Sequence, residues 1–321
     1  MDYSYLGNRL SKDLAGYLKE YLPTYTDIDL LSRLIVDTVI REKTRDESDP
    51  LMLDPEVYLL ILAKDFARRI SGRIFTLKDK VVGYLRTNLK ILLLVGAGLS
   101  YESGLPLTKH LQTVLRAIGI QTTDNYCDLC KAFEKVRRDH TLENEFKQRF
   151  RNLIKARNVN SSSHTLIAKK FLQESIQEIF CLNWDDLIEQ SYEKLNSNSP
   201  IKKVSKEIDC PQNTNTYVHA LWKLNGDVDD INTDWIYPGE EGRVFSSLDN
   251  YLEFLSKQNN FTFVSLAVGY SESDENINGI LSRINKFTTI FRIGMDMRLF
   301  SKYDDYLLAP AEWILPQLLI T

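Results

Sequence analysis

The sequence predicts an α/β fold: a Rossmann-like, mainly parallel sheet with an N-terminal α-helical extension. Three observations carry this. The first 85 or so residues follow helical periodicity, five short aliphatic and β-branched runs follow from Lys90 onward, and the spacers between the runs are long enough for crossover helices. At 321 residues the chain has the length of two domains or one elaborated domain. The expected division is residues 1–88 as the helical extension and 89–321 as the α/β domain.

In chain order, Leu10, Leu14, Tyr17 and Leu18 share one helical face, and Pro23 ends that helix. Thr26 is the predicted N-cap of the next, with Asp29 at the capping-box position and a stripe of Ile28, Leu31, Ile35 and Val39. Asp54 and Pro55 open a third helix, whose stripe of Leu59, Leu62, Phe66 and Ile70 is expected to stop at Gly72. Nothing in this region reads as catalytic. The runs Ile91–Val95, Ile176–Leu182, Tyr217–Leu224, Phe261–Val268 and Thr288–Ile293 are nearly continuously apolar, as strands buried on both faces must be. Leu107–Ile118 and Leu166–Leu172 are predicted crossover helices, and Asn196–Lys203 reads as a polar linker.

Composition narrows the function classes. Hydrophobic residues make up 43% and charged residues 26%, the values of an ordinary globular chain. A net charge of −4 gives no reason to expect nucleic acid as a partner. No apolar run approaches the ~20 residues of a membrane span, and the N-terminus lacks signal-peptide order, so a cytoplasmic protein without membrane contact is expected. Of Cys127, Cys130, Cys181 and Cys210, only the first two have metal-ligand spacing, and Cys181 lies in a strand run as a core residue. No metal site is expected. The basic stretch from Lys131 to Arg157 reads as solvated helix faces, with nucleic acid or an acidic partner as the alternative.

In open parallel sheets ligands lie beyond the C-terminal strand ends. The first run leads into Gly96-Ala97-Gly98-Leu99-Ser100 and on through Ser103-Gly104-Leu105-Pro106. Glycines permit close backbone approach to a phosphate, and a helix N-terminus favours one. The Gly-Lys pair of a Walker loop is missing, and Tyr101 stands where G-x-G-x-x-G needs its last glycine. A glycine-rich turn with no ligand is the competing reading. The second run leads into Asn183-Trp184-Asp185-Asp186, where Asp186 is the expected cap of the following helix, and the fourth leads into Gly269-Tyr270-Ser271.

Gly96-Ala97-Gly98-x-Ser100-x-x-Ser103-Gly104-x-Pro106 resembles the NAD-binding opening motif of the sirtuin superfamily. Asn183-Trp184-Asp185 resembles that family's Asn-x-Asp, and Lys223-Leu224-Asn225-Gly226-Asp227 falls on its Lys-Leu-His-Gly-Asp element. Gly269-Tyr270-Ser271 matches a late phosphate-side turn, so the resemblance covers roughly residues 90–295. The branch most similar is the prokaryotic sirtuin-like domains that hydrolyse NAD in anti-phage defence. The resemblance implies a cofactor-binding set of Gly96, Ala97, Gly98, Ser100, Ser103 and Gly104 around the phosphates, with Gly269 and Ser271 toward the adenosine. It implies that Asn183 holds the nicotinamide ribose and attacking water, and that Asp185 binds the carboxamide. NAD or ADP-ribose is the implied ligand, and self-association or a partner protein of a defence complex stays open.

The departure is Asn225, which stands where the family carries a histidine that acts as base. A neutral amide takes up no proton at pH 7, and losing a general base typically costs about 10²–10⁴ in rate. A triggered NAD hydrolase is the leading expectation; a catalytically impaired NAD or ADP-ribose sensor or scaffold is the alternative. Asp227 is the neighbouring carboxylate that could substitute as base. His219 has the right strand parity but lies about 20 Å away at ~3.3 Å per residue. His164 is expected to be structural, and His110 and His140 solvated. NAD-dependent protein deacylation fits less well, because relatives with that activity usually carry a paired-cysteine zinc module and only Cys210 lies between Asn183 and Asn225. The apolar C-terminal stretch from Trp313 to Ile320 has three open explanations: internal packing, a partner, or further chain.

Overall fold

A computed structural model describes residues 3–25, 27–44, 55–87, 89–101, 103–105, 111–123, 125–156, 162–206, 218–240, 246–258, 263–270 and 275–319. Helices α1 (Tyr3–Tyr21), α2 (Ile28–Thr44) and α3 (Pro55–Leu85) come first. Asp27 Oδ1 accepts the Leu30 N–H at 3.2 Å at the start of α2; the predicted caps Thr26 and Asp54 lie outside the described residues. Gly72 does not stop α3. No heavy atom lies within 4 Å of where its Cβ would be, and the cost of about 1 kcal/mol for glycine in a helix is outweighed by apolar contacts on both sides, Ile70, Ile74, Leu77 and Val81 being buried.

Seven parallel strands form one sheet in the order β3-β4-β2-β1-β5-β6-β7. They are β1 (Lys90–Val95), β2 (Ile176–Cys181), β3 (Lys203–Val204), β4 (Leu221–Lys223), β5 (Phe263–Val268), β6 (Thr289–Gly294) and β7 (Tyr306–Leu308). The five predicted runs become β1, β2, β4, β5 and β6. The edge strands β3 and β7 are additional, and β3 begins where the sequence reads as linker. The direction of winding reverses between β1 and β5, the switch point where parallel sheets open a crevice.

Strand parity assigns the two faces. Ile91, Leu93 and Val95 join the core formed with α1–α3, α8 (Ser162–Leu172) and α13 (Ala311–Leu319). Leu92 and Leu94 join the core formed with α10 (Ser246–Ser256) and α11 (Glu275–Ile284). The helical front is thus continuous with one sheet face: Tyr25 packs on Trp313 with ring centroids 4.9 Å apart, and its hydroxyl donates to Leu308 O at 3.2 Å. Trp313, Ile314, Leu315, Leu318 and Leu319 are buried in that core, so the C-terminal apolar stretch packs internally as far as Leu319. Among the described residues no helix is long and apolar enough to cross a membrane.

Between β1 and β2, α4 (Ala97–Tyr101), α5 (Gln112–Ala117), α6 (Tyr126–Arg138) and α7 (His140–Ala156) precede α8. The helix predicted over Leu107–Ile118 is described only from Leu111, its first part lying outside the described residues. A third core joins α5–α7 to Leu187, Val228, Trp235 and Tyr237. The basic stretch is not wholly solvated. Lys147 is buried, lying 3.1 Å from Glu143 and donating to Thr233 O at 3.0 Å, and Arg137 pairs with Glu143, Asp234 and Glu240. These cations hold the chain after β4 against α6 and α7.

Candidate functional site

Each loop leaves its strand in register with the next. Gly96 N–H donates to Val268 O at 2.9 Å, Leu182 N–H to Val95 O at 2.9 Å, Leu224 N–H to Cys181 O at 2.8 Å and Gly269 N–H to Ile293 O at 2.9 Å. The loops after β1, β2, β4, β5 and β6 thereby converge on one cleft of about 1820 Å³, larger than the ~300–1,000 Å³ of most small-molecule pockets. Gly96, Ala97, Gly98, Ser100 and Gly104 line it from the first loop. Asn183, Asp185, Asn225 and Gly269 line it from the others. Ser103 stands behind the cleft beside His164, and Ser271 lies outside the described residues.

The glycines at 96 and 98 meet the loop after β5 backbone to backbone. A Cβ on Gly98 would lie 2.7 Å from Gly269 Cα, and one on Gly96 2.7 Å from Gly269 O. Gly269 has φ +65°, and its own Cβ would lie 2.4 Å from Leu99 N. Gly98 N–H donates to Gly269 O at 2.7 Å and Leu99 N–H to Gly96 O at 3.1 Å, so both amides are already engaged. This contact alone demands glycine at the three positions, whatever else approaches them.

Asn183 is nearly buried, and its Nδ2 donates to Gly96 O at 3.1 Å and to Ser100 Oγ at 2.8 Å. Its Oδ1 is left to accept from a ligand. His164, on α8, sits 3.4 Å from Ser100 Oγ through Nε2 and 3.5 Å from Ser103 Oγ through Nδ1. Burial pushes its pKa down to about 4, with Asp185 pulling it up, so it is a neutral ring bracing the first loop. Trp184, between Asn183 and Asp185, packs against the third core at the cleft wall. It stacks on Trp235 at 5.0 Å and meets Phe133, Phe146, Phe150 and Tyr237, while its Nε1 donates to Asn225 O at 2.7 Å. That anchor places Asn183 and Asp185 together at the cleft.

Asp185, not Asp186, serves the start of α9 (Leu187–Leu195): its Oδ1 accepts Leu187 N–H at 3.2 Å. The expected cap Asp186 makes no capping bond, accepting instead from Gln190 Nε2 at 2.8 Å, and burial raises its pKa. Asn225 lines the cleft, and its Oδ1 is buried without a hydrogen-bond partner. Gly226, at φ +115°, follows because a Cβ there would lie 2.6 Å from Trp235. Asp227 does not take the place of a base. It is buried away from the cleft, binds Lys203 Nζ at 2.7 Å and Asp229 N–H at 3.0 Å, and although burial raises its pKa, Lys223 and Lys203 bring it below the ordinary carboxylate value.

His219 is structural, stacked on Phe171 at 4.0 Å with Nδ1 3.1 Å from Gln177 O. His110 lies outside the described residues, and His140 is exposed. Among the described residues no histidine lines the cleft. Cys181 is buried, its thiol pushed up to about 12 by burial. Sequence reasoning missed the far walls: Asp27, Leu30, Leu34 and Arg41 on and beside α2, and Asp296 and Arg298 after β6. Nothing in the helical periodicity of α2 marks it as a cleft wall. The position of Asp296 and Arg298 immediately after the last predicted run was the available signal for the second group.

A family model described as a SIR2-like domain matches residues 177–290. That span holds the loops after β2, β4 and β5, including Asn183, Asp185, Asn225 and Gly269, and begins after the glycine loop of β1. Comparison with curated proteins finds no match. Among solved structures, one described by the words "Structural Basis for the Mechanism and Regulation of Sir2 Enzymes" is 13% identical, covering 76% of this chain and 95% of its own, with a TM-score of 0.47. A mutant Sir2 homologue with 2'-O-acetyl ADP ribose is 16% identical, covering 74% and 94%, with a TM-score of 0.47. Another mutant Sir2 homologue, with ADP ribose, is 18% identical at the same coverage and score.

Proposed function

We propose that the cleft binds NAD and cleaves the bond between nicotinamide and ribose, releasing ADP-ribose, as a triggered effector of anti-phage defence. The observation that carries this reading is Asn183, an amide pinned by Gly96 O and Ser100 Oγ beside Asp185 and Asn225 in the cleft at the C-terminal ends of a parallel sheet. The match of the surrounding segment to a SIR2-like domain supports the same ligand class. Cleavage passes through an oxocarbenium-like state, so the site must orient water on one face and bear developing positive charge. Asn183 Oδ1 and Asn225 Oδ1 are acceptors suited to ribose hydroxyls or that water, and Asp185 to the carboxamide. The uncommitted Ala97 N–H and cleft-lining Arg149 and Arg298 offer donors to the pyrophosphate.

A second reading, an NAD or ADP-ribose sensor without turnover, is favoured by Asn225 and by the absence of a cleft histidine among the described residues. One experiment separates the two. Purified protein is incubated with NAD, alone and with the products of neighbouring genes, and nicotinamide is measured against an Asn183→Ala control. Release above the control supports the hydrolase. No release in any combination, with NAD still bound by calorimetry, supports the sensor; in that case Asn225→His is expected to raise the rate about 10²-fold or more if the missing base is the sole deficit.

A further inference from the structure

Directly behind the Asn183–Asp185 turn lies a buried ionic chain that no cleft contact explains. Lys223, the last residue of β4, is 0% exposed. Its Nζ donates to the backbone oxygen of Asp185 and lies 3.5 Å from Glu189 Oε1 on α9. Glu189 is itself buried, and neither of its carboxylate oxygens accepts a hydrogen bond. Lys203 Nζ lies 4.0 Å from the same Glu189 oxygen and 2.7 Å from Asp227. The chain therefore runs from the turn bearing Asn183 and Asp185 to the loop bearing Asn225. Val228 N–H closes the same two segments by donating to Trp184 O at 2.8 Å.

Stability does not require this arrangement. Replacing a buried ion pair by apolar groups of like volume is often neutral or favourable, and the preceding β4 residues Leu221 and Trp222 are buried apolar side chains. What an ammonium adds is a strong, directional bond to one carbonyl, and that carbonyl belongs to the peptide that orients Asp185. Burial would by itself lower the Lys223 pKa, but Glu189 and the nearby acids more than offset it, holding the ammonium above the ordinary lysine value. Burial raises the Glu189 pKa to about 7 even with Lys223 pulling it down, so Glu189 gives up its charge readily once Lys223 is removed.

We infer that Lys223 is a positioning residue: with Glu189 as its counter-ion, it holds the Asn183–Asp185 turn against the Asn225 loop in the geometry the cleft chemistry uses. The kinetic consequence rests on the NAD-cleaving reading; the structural consequence does not. The test uses the full chain with Lys223→Met and Glu189→Gln combined, so that no buried charge is left alone. Three quantities are read: thermal unfolding, hydrogen exchange of amides in segment 183–188 against those of β1 and β5, and kcat and KM for nicotinamide release. Expected are a melting temperature near that of the parent and exchange at least about tenfold faster in 183–188 with β1 and β5 unchanged. Also expected is a kcat lower by about tenfold or more at nearly constant KM.

Unchanged exchange in 183–188, or faster exchange with unchanged kcat, overturns the inference; so does a lowered melting temperature with uniformly faster exchange, which marks a purely structural pair. If the parent protein releases no nicotinamide, the hydrolase reading falls, and selective exchange in 183–188 alone decides this inference. Should the double variant fail to fold, Lys223→Met by itself, in which Glu189 can take up a proton, is read in the same way.

Discussion

His164 shows how a residue's environment fixes its role. With its pKa lowered from the ordinary 6.5 to about 4 by burial, the folded protein resists protonation that the unfolded chain accepts. Its contribution is complete above about pH 6.5 and is lost as pH falls toward 4, on the order of 3 kcal/mol in all. His164→Gln is expected to flatten that part of the stability profile, measured by urea unfolding between pH 7 and 4; an unchanged slope would refute it. At this scale the sequence was readable where spacing and strand ends determine position, as for Asn183, Asp185, Asn225 and Gly269, all at the cleft. It was not readable where partners are distant in the chain. Asp227 read as a spare base because Lys203 is 24 residues away, and the steric contact of Gly96 and Gly98 with Gly269 was hidden because Gly269 is far off in sequence.

Among elements, the central strands were legible because continuous apolar runs flanked by turns are unusual outside two-sided sheets. The edge strands were not: β3 spans two residues and β7 three, too short for any periodicity to register. Helices α6 and α7 were visible only as a basic stretch, since the acids that pair with Arg137 include Asp234 and Glu240, beyond β4. Trp184 is the joint between this helical insert and the sheet. Trp184→Ala removes its stacking on Trp235 and its bond to Asn225 O, with an expected loss of about 3 kcal/mol. Near-UV circular dichroism and exchange in α6 and α7 should report the insert loosening before the sheet does; a loss of stability spread evenly over the fold would count against the joint.

For the molecule as a whole, the helical front was expected to be an extension, and its apolar stripes turn out to complete a core. Phe66 meets Phe300, Tyr84 meets Phe291 and Tyr25 meets Trp313, so a fragment of residues 89–321 would bare the β6–α13 side of the sheet. It is expected to aggregate, read by light scattering; a soluble, cooperatively melting fragment would refute the shared core. The front also gives the cleft its Asp27, Leu30, Leu34 and Arg41 wall, so the two ends of the chain meet around one opening. The seam of Gly96, Gly98 and Gly269 has a practical consequence for variant libraries. Saturation mutagenesis will find these positions intolerant for steric reasons alone, so the evolvable part of the pocket, where ligand preference can be reshaped without breaking the scaffold, is the side-chain wall of Leu30, Arg41 and Arg298.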